Sequence, residues 1–306
     1  MKTCVLIYNP NSGRVLRSKY IREYKQIIAK HRYAPKIIGT QYRGHAKEIV
    51  SHLDKVDLVI SMGGDGTFNE IMAGNLARSV PLVLAHIPVG TTNDIGVMFG
   101  YGRDTKQNLI SLLNGVVKGT DIGCINGHPF VYVAGFGKFM QISYETPRKL
   151  KKTYGHAAYL MEGLKDFFRP TKLYKLSYKI NGVEKQGFYS FMLISNANRI
   201  AGINNFYKDV KLDDHKFEVM FCNFRRRVDI IKVFWMLAVT DASKVSGIEF
   251  YKTDHIEIKF ENYPKKAWCI DGEKLDRAVL KYEITNIPNV KIMMPNKNIS
   301  KNFVKH

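Results

Sequence analysis

Val56-Asp57-Leu58-Val59-Ile60-Ser61-Met62-Gly63-Gly64-Asp65-Gly66-Thr67-Phe68-Asn69-Glu70 is the stretch whose reading decides the fold. Residues 58–61 form a short apolar run, as expected of a strand buried on both faces. Residues 68–76 continue with the spacing of a helix. The three glycines between them mark a strand-to-helix turn where backbone can approach a ligand closely and aim its N–H groups at it. The positive end of the following helix strengthens the attraction for an anion, phosphate above all. Asp65 sits badly beside a phosphate unless a cation lies between the two, so its presence points to Mg2+.

The flanking sequence repeats this pattern. Lys2–Tyr8 reads as a strand, and Ser18–Lys30 as a helix with Ile21, Tyr24, Ile27 and Ile28 on one face. Residues 35–39 and 82–86 read as strands, 45–53 and 105–114 as helices. Strands alternating with short helices predict a parallel sheet covered by helices. Two further loops follow strands of that sheet: Asn9-Pro10-Asn11-Ser12-Gly13, and Val89-Gly90-Thr91-Thr92-Asn93-Asp94. Loops at the carboxyl ends of parallel strands converge on one crevice, so three such loops predict a single phosphate-handling site.

After about Gly119 the pattern changes. Residues 130–136, Tyr174–Ile180, 187–195, 217–223, His255–Phe260, 267–270 and 280–284 read as strands. Asn181-Gly182 between apolar runs signals a hairpin. Two helices are expected in this half, at 147–168, opened by Thr146-Pro147, and at 228–239. The second half is therefore expected to be a mostly antiparallel β domain.

Composition sets outer limits. The chain has 306 residues, 45% of them hydrophobic, enough for a large core or two smaller ones. Its longest apolar stretch, around Val233–Val239, is far short of the roughly 20 residues needed to span a bilayer. The apolar run after Met1 is too short for a secretory signal, so a cytoplasmic location is expected. Cys4, Cys124, Cys222 and Cys269 are scattered without a C-x-x-C pair and read as reduced, buried thiols. Lys and Arg number 47 against 27 Asp and Glu, a net charge of +20. Such a surface attracts polyanions: nucleic acid, acidic headgroups or an anionic substrate. No G-x-x-x-x-G-K-[ST], H-R-D or D-F-G run is present, which excludes Walker-type ATPases and protein kinases, and no H-E-x-x-H argues for zinc.

Taken in order, Asn9-Pro10-x-Ser12-Gly13, Gly63-Gly64-Asp65-Gly66-Thr67 with Asn69-Glu70, Gly90-Thr91-Thr92-Asn93-Asp94 and Asp271-Gly272-Glu273 resemble the diacylglycerol kinase catalytic family. Gln141-Ile142-Ser143-Tyr144-Glu145-Thr146-Pro147 and Lys211-Leu212-Asp213-Asp214 resemble its soluble bacterial members in particular. The GGDGT run alone is shared with NAD kinases and phosphofructokinases. The resemblance extends from about residue 2 to about residue 295.

The resemblance implies an α/β fold. An N-terminal parallel-sheet domain, like that of NAD kinase and phosphofructokinase, spans 1–124 and is rejoined by about 286–306 as the last strand returns to it. An antiparallel β-sandwich that takes the lipid spans 125–285, with ATP in the cleft between the two. It implies nucleotide contacts from Asn9, Pro10, Asn11, Ser12, Gly13, Thr40, Gly63, Gly64, Asp65, Gly66, Thr67, Asn69, Glu70 and Thr92. Asp65, Asp94 and Asp121 are implied around a catalytic Mg2+. Asp214, with backbone carbonyls of Lys211 and Lys216, is implied around a structural one. His215 stands where the family usually has glycine, which weakens that second site if the position needs a positive φ. Read without the resemblance, Asp271-Gly272 is a hairpin turn. With it, Asp271 or Glu273 takes the acceptor's proton, and Asp271 is favoured.

The expected function is thus a lipid kinase that moves the γ-phosphate of ATP to a neutral lipid alcohol, diacylglycerol foremost, giving phosphatidic acid. Another lipid acceptor (a sphingoid base or other glycerolipid), a soluble acceptor, and a non-catalytic nucleotide- or membrane-binding module remain open alternatives. Arg148, Lys149, Lys151, Lys152, Lys165, Arg169 and Arg225-Arg226-Arg227 supply charge for peripheral contact with an acidic membrane face. No nucleic-acid motif is present, so that partner is not expected, and the family suggests a homodimer.

Overall fold

The computed structural model describes residues 1–10, 18–90, 93–138, 171–197, 210–226, 229, 247–275, 278–296, 299 and 302–304. The segments expected as helices at 147–168 and 228–239 lie outside them, Asp229 excepted, and so does the 141–147 motif. Also outside are Asn11, Ser12, Gly13, Thr92, Arg148, Lys149, Lys151, Lys152, Lys165, Arg169 and Arg227. The chain divides into two compact units, Met1–Thr120 with Pro288–His306, and Asp121–Ile287.

The first unit alternates strands and helices: β1 (Lys2–Tyr8), α1 (Ser18–Lys30), β2 (Tyr33–Gly39), α2 (His45–Ser51), β3 (Leu58–Gly63), α3 (Asp65–Leu76), β4 (Leu84–Pro88), α4 (Asp94–Met98), α5 (Thr105–Leu113), and then β5 (Val116–Ile125), which runs on into the second unit. The strands are parallel in the order β2-β1-β3-β4, with Val5 opposite Val59 and Val59 opposite Leu84. Every residue of β3 and β4 is buried, so the sheet is covered on both faces, as its continuous apolar runs require.

Two boundaries differ from the sequence expectation in ways that matter for the site. Helix α3 begins at Asp65, not at residue 68, so Asp65, Gly66 and Thr67 form its first turn and Gly64 is its N-cap. Glycine costs a helix about 1 kcal/mol relative to alanine, which hid this start. Strand β4 runs Leu84–Pro88, two residues beyond the expected 82–86, because its pairing with β3 carries on to Gly63 opposite Pro88.

The second unit contains β6 (His128–Phe130), β7 (Val133–Gly137), β8 (Tyr174–Ile180), β9 (Val183–Tyr189), β10 (Phe191–Ser195), β11 (Phe217–Cys222), β12 (Ile248–Thr253), β13 (His255–Phe260), β14 (Cys269–Ile270), β15 (Glu273–Lys274) and the opening half of β16 (Lys281–Met294). One sheet runs β16-β13-β8-β9, antiparallel throughout. The other runs β12-β11-β10-β7-β14-β15. Their facing sides share one aromatic core. Tyr178 of β8 stacks on Phe221 of β11 at 4.2 Å, and Phe136 of β7 meets Phe260 of β13 at 4.8 Å. Asn181 and Gly182 both take positive φ, the turn their pairing predicted between β8 and β9.

The expected strand at 187–195 is two strands, since Tyr189 ends β9 in one sheet and Phe191 opens β10 in the other. The expected 280–284 strand is the start of β16, whose far end pairs parallel to β4 at Ile292 and Leu84 in the first unit. Strands β5, β12 and β15 had no expectation, and β6 shares only Phe130 with the expected 130–136. Lys118, Gly119, Thr120 and Asp121 break the apolar pattern of β5, and β12 is half-exposed along most of its length. The four cysteines are free. Among the described residues, no helix is long and apolar enough to cross a membrane.

Candidate functional site

In the first unit, the glycine loops lock together at the carboxyl ends of β3 and β4. The amide of Val89 donates to the Gly63 carbonyl at 2.9 Å. Beyond it the backbones approach so closely that a Cβ on Gly90 would stand 2.8 Å from the Gly64 Cα. Only glycine fits there, which gives the second loop a steric reason for its residue. Asn93, the left-handed N-cap of α4, donates from Nδ2 to the Gly90 carbonyl at 3.0 Å. Its Oδ1 is buried with no hydrogen-bond partner. A buried acceptor left without a donor carries a cost that a ligand or water can remove.

Two carboxylates open the helices that leave these loops. Asp65 is the first residue of α3, and Asp94, itself buried, is the first of α4. Asp65 Oδ1 accepts from the Ile95 amide at 3.3 Å, tying one helix start to the other. Asn9 joins them from the end of β1, its amide donating to the Met62 carbonyl and its Nδ2 lying 3.5 Å from Thr67 Oγ1. Thr40 is held at the end of β2 by its amide on the Tyr8 carbonyl. The structure therefore brings Asn9, Thr40, Gly63, Gly64, Asp65, Gly66, Thr67 and Asp94 to one edge of the sheet. Pro10, beside Asn9, and Asn69, one turn into α3, are half-buried.

Glu70, one turn into α3, reaches the start of α2. Its Oε1 accepts from the Gly44 amide at 2.9 Å and its Oε2 from the Ala46 amide at 3.3 Å, so the side chain caps α2. A carboxylate at a helix N-terminus is favoured by the helix dipole. Glu70 thus holds α2 on α3.

The second unit carries the remaining residues in two places. Asp121, expected with Asp65 and Asp94, is almost fully buried and associates with the 211–216 loop. Its amide donates to the Leu212 carbonyl, its carboxylate accepts from the His215 amide, and the His215 Nδ1 lies 3.3 Å from its Oδ1. Burial holds Asp121 above the usual carboxylate range, and the hydrogen bond from His215 pulls against that. His215 takes a positive φ, of 61°, the condition under which its replacement of glycine matters. Asp214 accepts from the Lys216 amide at 3.2 Å and from the Lys252 ammonium at 2.6 Å. Lys252 also lies 3.4 Å from Glu218. Burial works against the Lys252 charge, yet Asp214 and Glu218 outweigh it and keep the ammonium above its ordinary range.

Asp271 and Glu273 flank the β14–β15 hairpin, where Asp271 and Gly272 both have positive φ. Asp271 is buried, and its carboxylate accepts from three successive backbone amides: Val131 at 2.8 Å, Tyr132 at 2.9 Å and Val133 at 3.0 Å. Its own amide returns to the Val133 carbonyl. Glu273 is exposed. Among the described residues, no group of three or more His, Cys, Asp and Glu side chains stands together as a metal-binding set.

Sequence reasoning passed over Gly90 and Asn93 as site residues although it had the motif containing them. Their Gly-x-x-Asn spacing was the available signal. It had no signal for Lys252 and Glu218, which meet Asp214 only through strand pairing.

Comparisons with known proteins give the family and the fold. The family model "Diacylglycerol kinase catalytic domain" matches residues 3–125. A Bacillus subtilis protein named "Diacylglycerol kinase" is 30% identical over 301 residues, covering 96% of this chain and 97% of its own. Staphylococcus aureus proteins of the same name are 27% identical over 311 residues, covering 100% of this chain and 96% of theirs. Among solved structures, a putative diacylglycerol kinase from Bacillus anthracis superposes with a TM-score of 0.79 at 21% identity, over 97% of this chain and 98% of that one.

Proposed function

Because this chain belongs to the diacylglycerol kinase family, and is a kinase on that ground, we propose that it transfers the γ-phosphate of ATP to the free hydroxyl of diacylglycerol, forming phosphatidic acid. One observation carries the nucleotide half of this reading. The loops after β3 and β4 meet backbone to backbone at Gly64 and Gly90. With glycine at both positions no Cβ stands between them, which leaves main-chain N–H groups and the start of α3 to receive phosphate oxygens. Pre-formed donors of this kind favour the charge that spreads over a transferring phosphoryl group.

Asp65 and Asp94 fit one Mg2+ as hard oxygen donors. That ion usually takes one or two carboxylates and completes its shell with phosphate and water, so a three-residue cluster is not required. Bound there with ATP, it would screen the phosphoryl charge. The remaining roles belong to the chain. Asn9 and Thr67 hold the first and second loops in register, and Glu70 keeps α2 on α3.

For the proton of the acceptor hydroxyl, the geometry favours Glu273 over Asp271. Asp271 is buried, and the three amides of 131–133 already converge on its carboxylate. Asp271 then sets the hairpin that presents Glu273, which is exposed and able to meet a lipid. The net charge of +20 supports docking at an acidic membrane face. The homodimer rests on family resemblance alone, and sedimentation of the pure protein checks it.

The test is phosphoryl transfer from labelled ATP with Mg2+ to diacylglycerol, a sphingoid base, phosphatidylglycerol and NAD, each offered separately. Label in phosphatidic acid supports the proposal, and label in another product moves the acceptor while keeping the kinase. ATP binding without transfer to any acceptor favours a non-catalytic module. Glu273→Gln is expected to lower kcat by about 100-fold or more with ATP affinity unchanged. Near-normal turnover in that variant would return the role to Asp271.

A further inference from the structure

Family resemblance places a structural Mg2+ in the 211–216 loop, and the residues of this chain do not fit one. An ion there needs an oxygen of Asp214. Here Oδ1 of that carboxylate accepts from the Lys216 amide at 3.2 Å, and Oδ2 holds the Lys252 ammonium at 2.6 Å. The ammonium is placed there by the sheet itself. Lys252 of β12 is the direct cross-strand partner of Glu218 of β11, and its Nζ lies 3.4 Å from Glu218 Oε1. Glu218 is 2% exposed and its Oε2 has no hydrogen-bond partner. A buried carboxylate of this kind is costly unless a positive charge stands beside it.

The rest of the loop is closed by protein groups as well. Asp121 receives the His215 amide and lies against the His215 ring, while its own amide binds the Leu212 carbonyl. With a glycine at 215 that ring contact would be missing. His215 already adopts the left-handed backbone that the turn requires.

We propose that the ammonium of Lys252 is the resident cation of the 211–216 loop, held between Asp214 and Glu218, so that this loop is formed without a divalent metal. It follows that emptying the position admits one. The inference concerns only the second unit and does not depend on which acceptor the enzyme phosphorylates.

The experiment is thermal unfolding of the full chain without nucleotide, in EDTA and in 10 mM Mg2+, for the wild type, Lys252→Met, Lys252→Gln and Asp214→Asn. The wild type is expected to melt at the same temperature in both buffers. Both Lys252 variants should melt about 5 °C lower in EDTA, the scale of losing one partly buried ion pair in a chain of this size, and regain most of that in Mg2+. Asp214→Asn should be destabilised and indifferent to Mg2+. A wild-type midpoint that rises in Mg2+, with the rise abolished by Asp214→Asn, overturns the proposal in favour of a metal in the loop. Lys252 variants that melt like the wild type, or lower without recovery in Mg2+, overturn it too, because the position would then not be one that cations share. Mg2+ bound at Asp65 would raise all four proteins together and is recognised by that.

Discussion

Gly90 is the residue on which the nucleotide side of the site depends most directly. An added methyl group would meet the Gly64 Cα at 2.8 Å and Asn93 Oδ1 at 2.9 Å, and backbone on the Gly64 side cannot swing away as a long side chain could. Gly90→Ala is therefore expected to part the two loops and weaken ATP binding at least tenfold. Gly90 lies in a surface loop after β4, so overall stability should fall by only about 1–2 kcal/mol. Calorimetric titration with ATP alongside urea unfolding separates the two effects, and unchanged affinity would remove the loop contact from the phosphate site. Asp271 makes the complementary case. Asn at 271 has one acceptor oxygen where three amides converge, so an amide group would face N–H donors. Asp271→Asn should cost about 2 kcal/mol of stability in the second unit, a loss that Glu273→Gln does not share. Both residues were legible as site candidates because Asp-Gly-Glu stands out in a strand-rich half. Their division of labour was not, since it depends on the 131–133 backbone, which folding brings to Asp271.

Among the elements, β8, β9 and β12 are joined by a group that no motif announced. Glu249 of β12 accepts from the hydroxyls of Tyr178 at 2.6 Å, Tyr189 at 2.8 Å and Tyr251 at 3.0 Å, and from the Lys185 ammonium at 3.0 Å. Tyr178 and Tyr189 belong to one sheet of the sandwich, Glu249 and Tyr251 to the other, so the carboxylate ties the two together. Partial burial pushes Glu249 up, but these donors prevail and bring it down to about 2. A depressed carboxylate stabilises the fold above its unfolded value, near 4.5, and loses that contribution as pH falls toward 2. Glu249→Gln is expected to destabilise the second unit by about 1–2 kcal/mol at pH 7, with the difference from wild type shrinking below pH 4. Denaturant titrations at the two pH values would detect it. Most elements could be seen in the sequence, since β1, α1, β8 and β13 have the expected bounds. The start of α3 and the division of 187–195 could not, because glycines concealed the first and a switch of sheet at Ser190 the second.

Over the whole molecule, charge and stability follow separate rules. The excess of 20 positive charges predicts binding to vesicles containing acidic lipid, weakening as salt rises past about 0.1 M, where screening shortens to about 10 Å. Flotation that is equal on neutral and acidic vesicles would dissociate membrane contact from charge. Stability against acid is set in part by His86, fully buried in β4 with Nε2 unpartnered and its ring 4.9 Å from that of Phe68. Burial pushes its imidazole down to about 3, against about 6.5 in an unfolded chain. The unfolded chain gains the proton first, so this residue's effect on stability is absent above pH 6.5 and grows unfavourable as pH falls toward 3. The slope is about 1.4 kcal/mol per unit, or about 2 kcal/mol between pH 6.5 and 5. His86→Gln should flatten that part of the pH profile in urea unfolding.

The sequence alone determined what depends on short spans of chain. The alternation of apolar strands with helices, the glycine turns and their edge of the sheet, and the Asn-Gly hairpin all follow from local sterics and periodicity. Tertiary structure decided which polar groups meet. Asp121 lies with His215, Glu70 caps α2, Asp271 gathers three amides, and Lys252 stands between Asp214 and Glu218. Those partners lie tens to more than a hundred residues apart in sequence. A buried charge is settled by whatever strand pairing and chain reversal place beside it, and no local pattern carries that information.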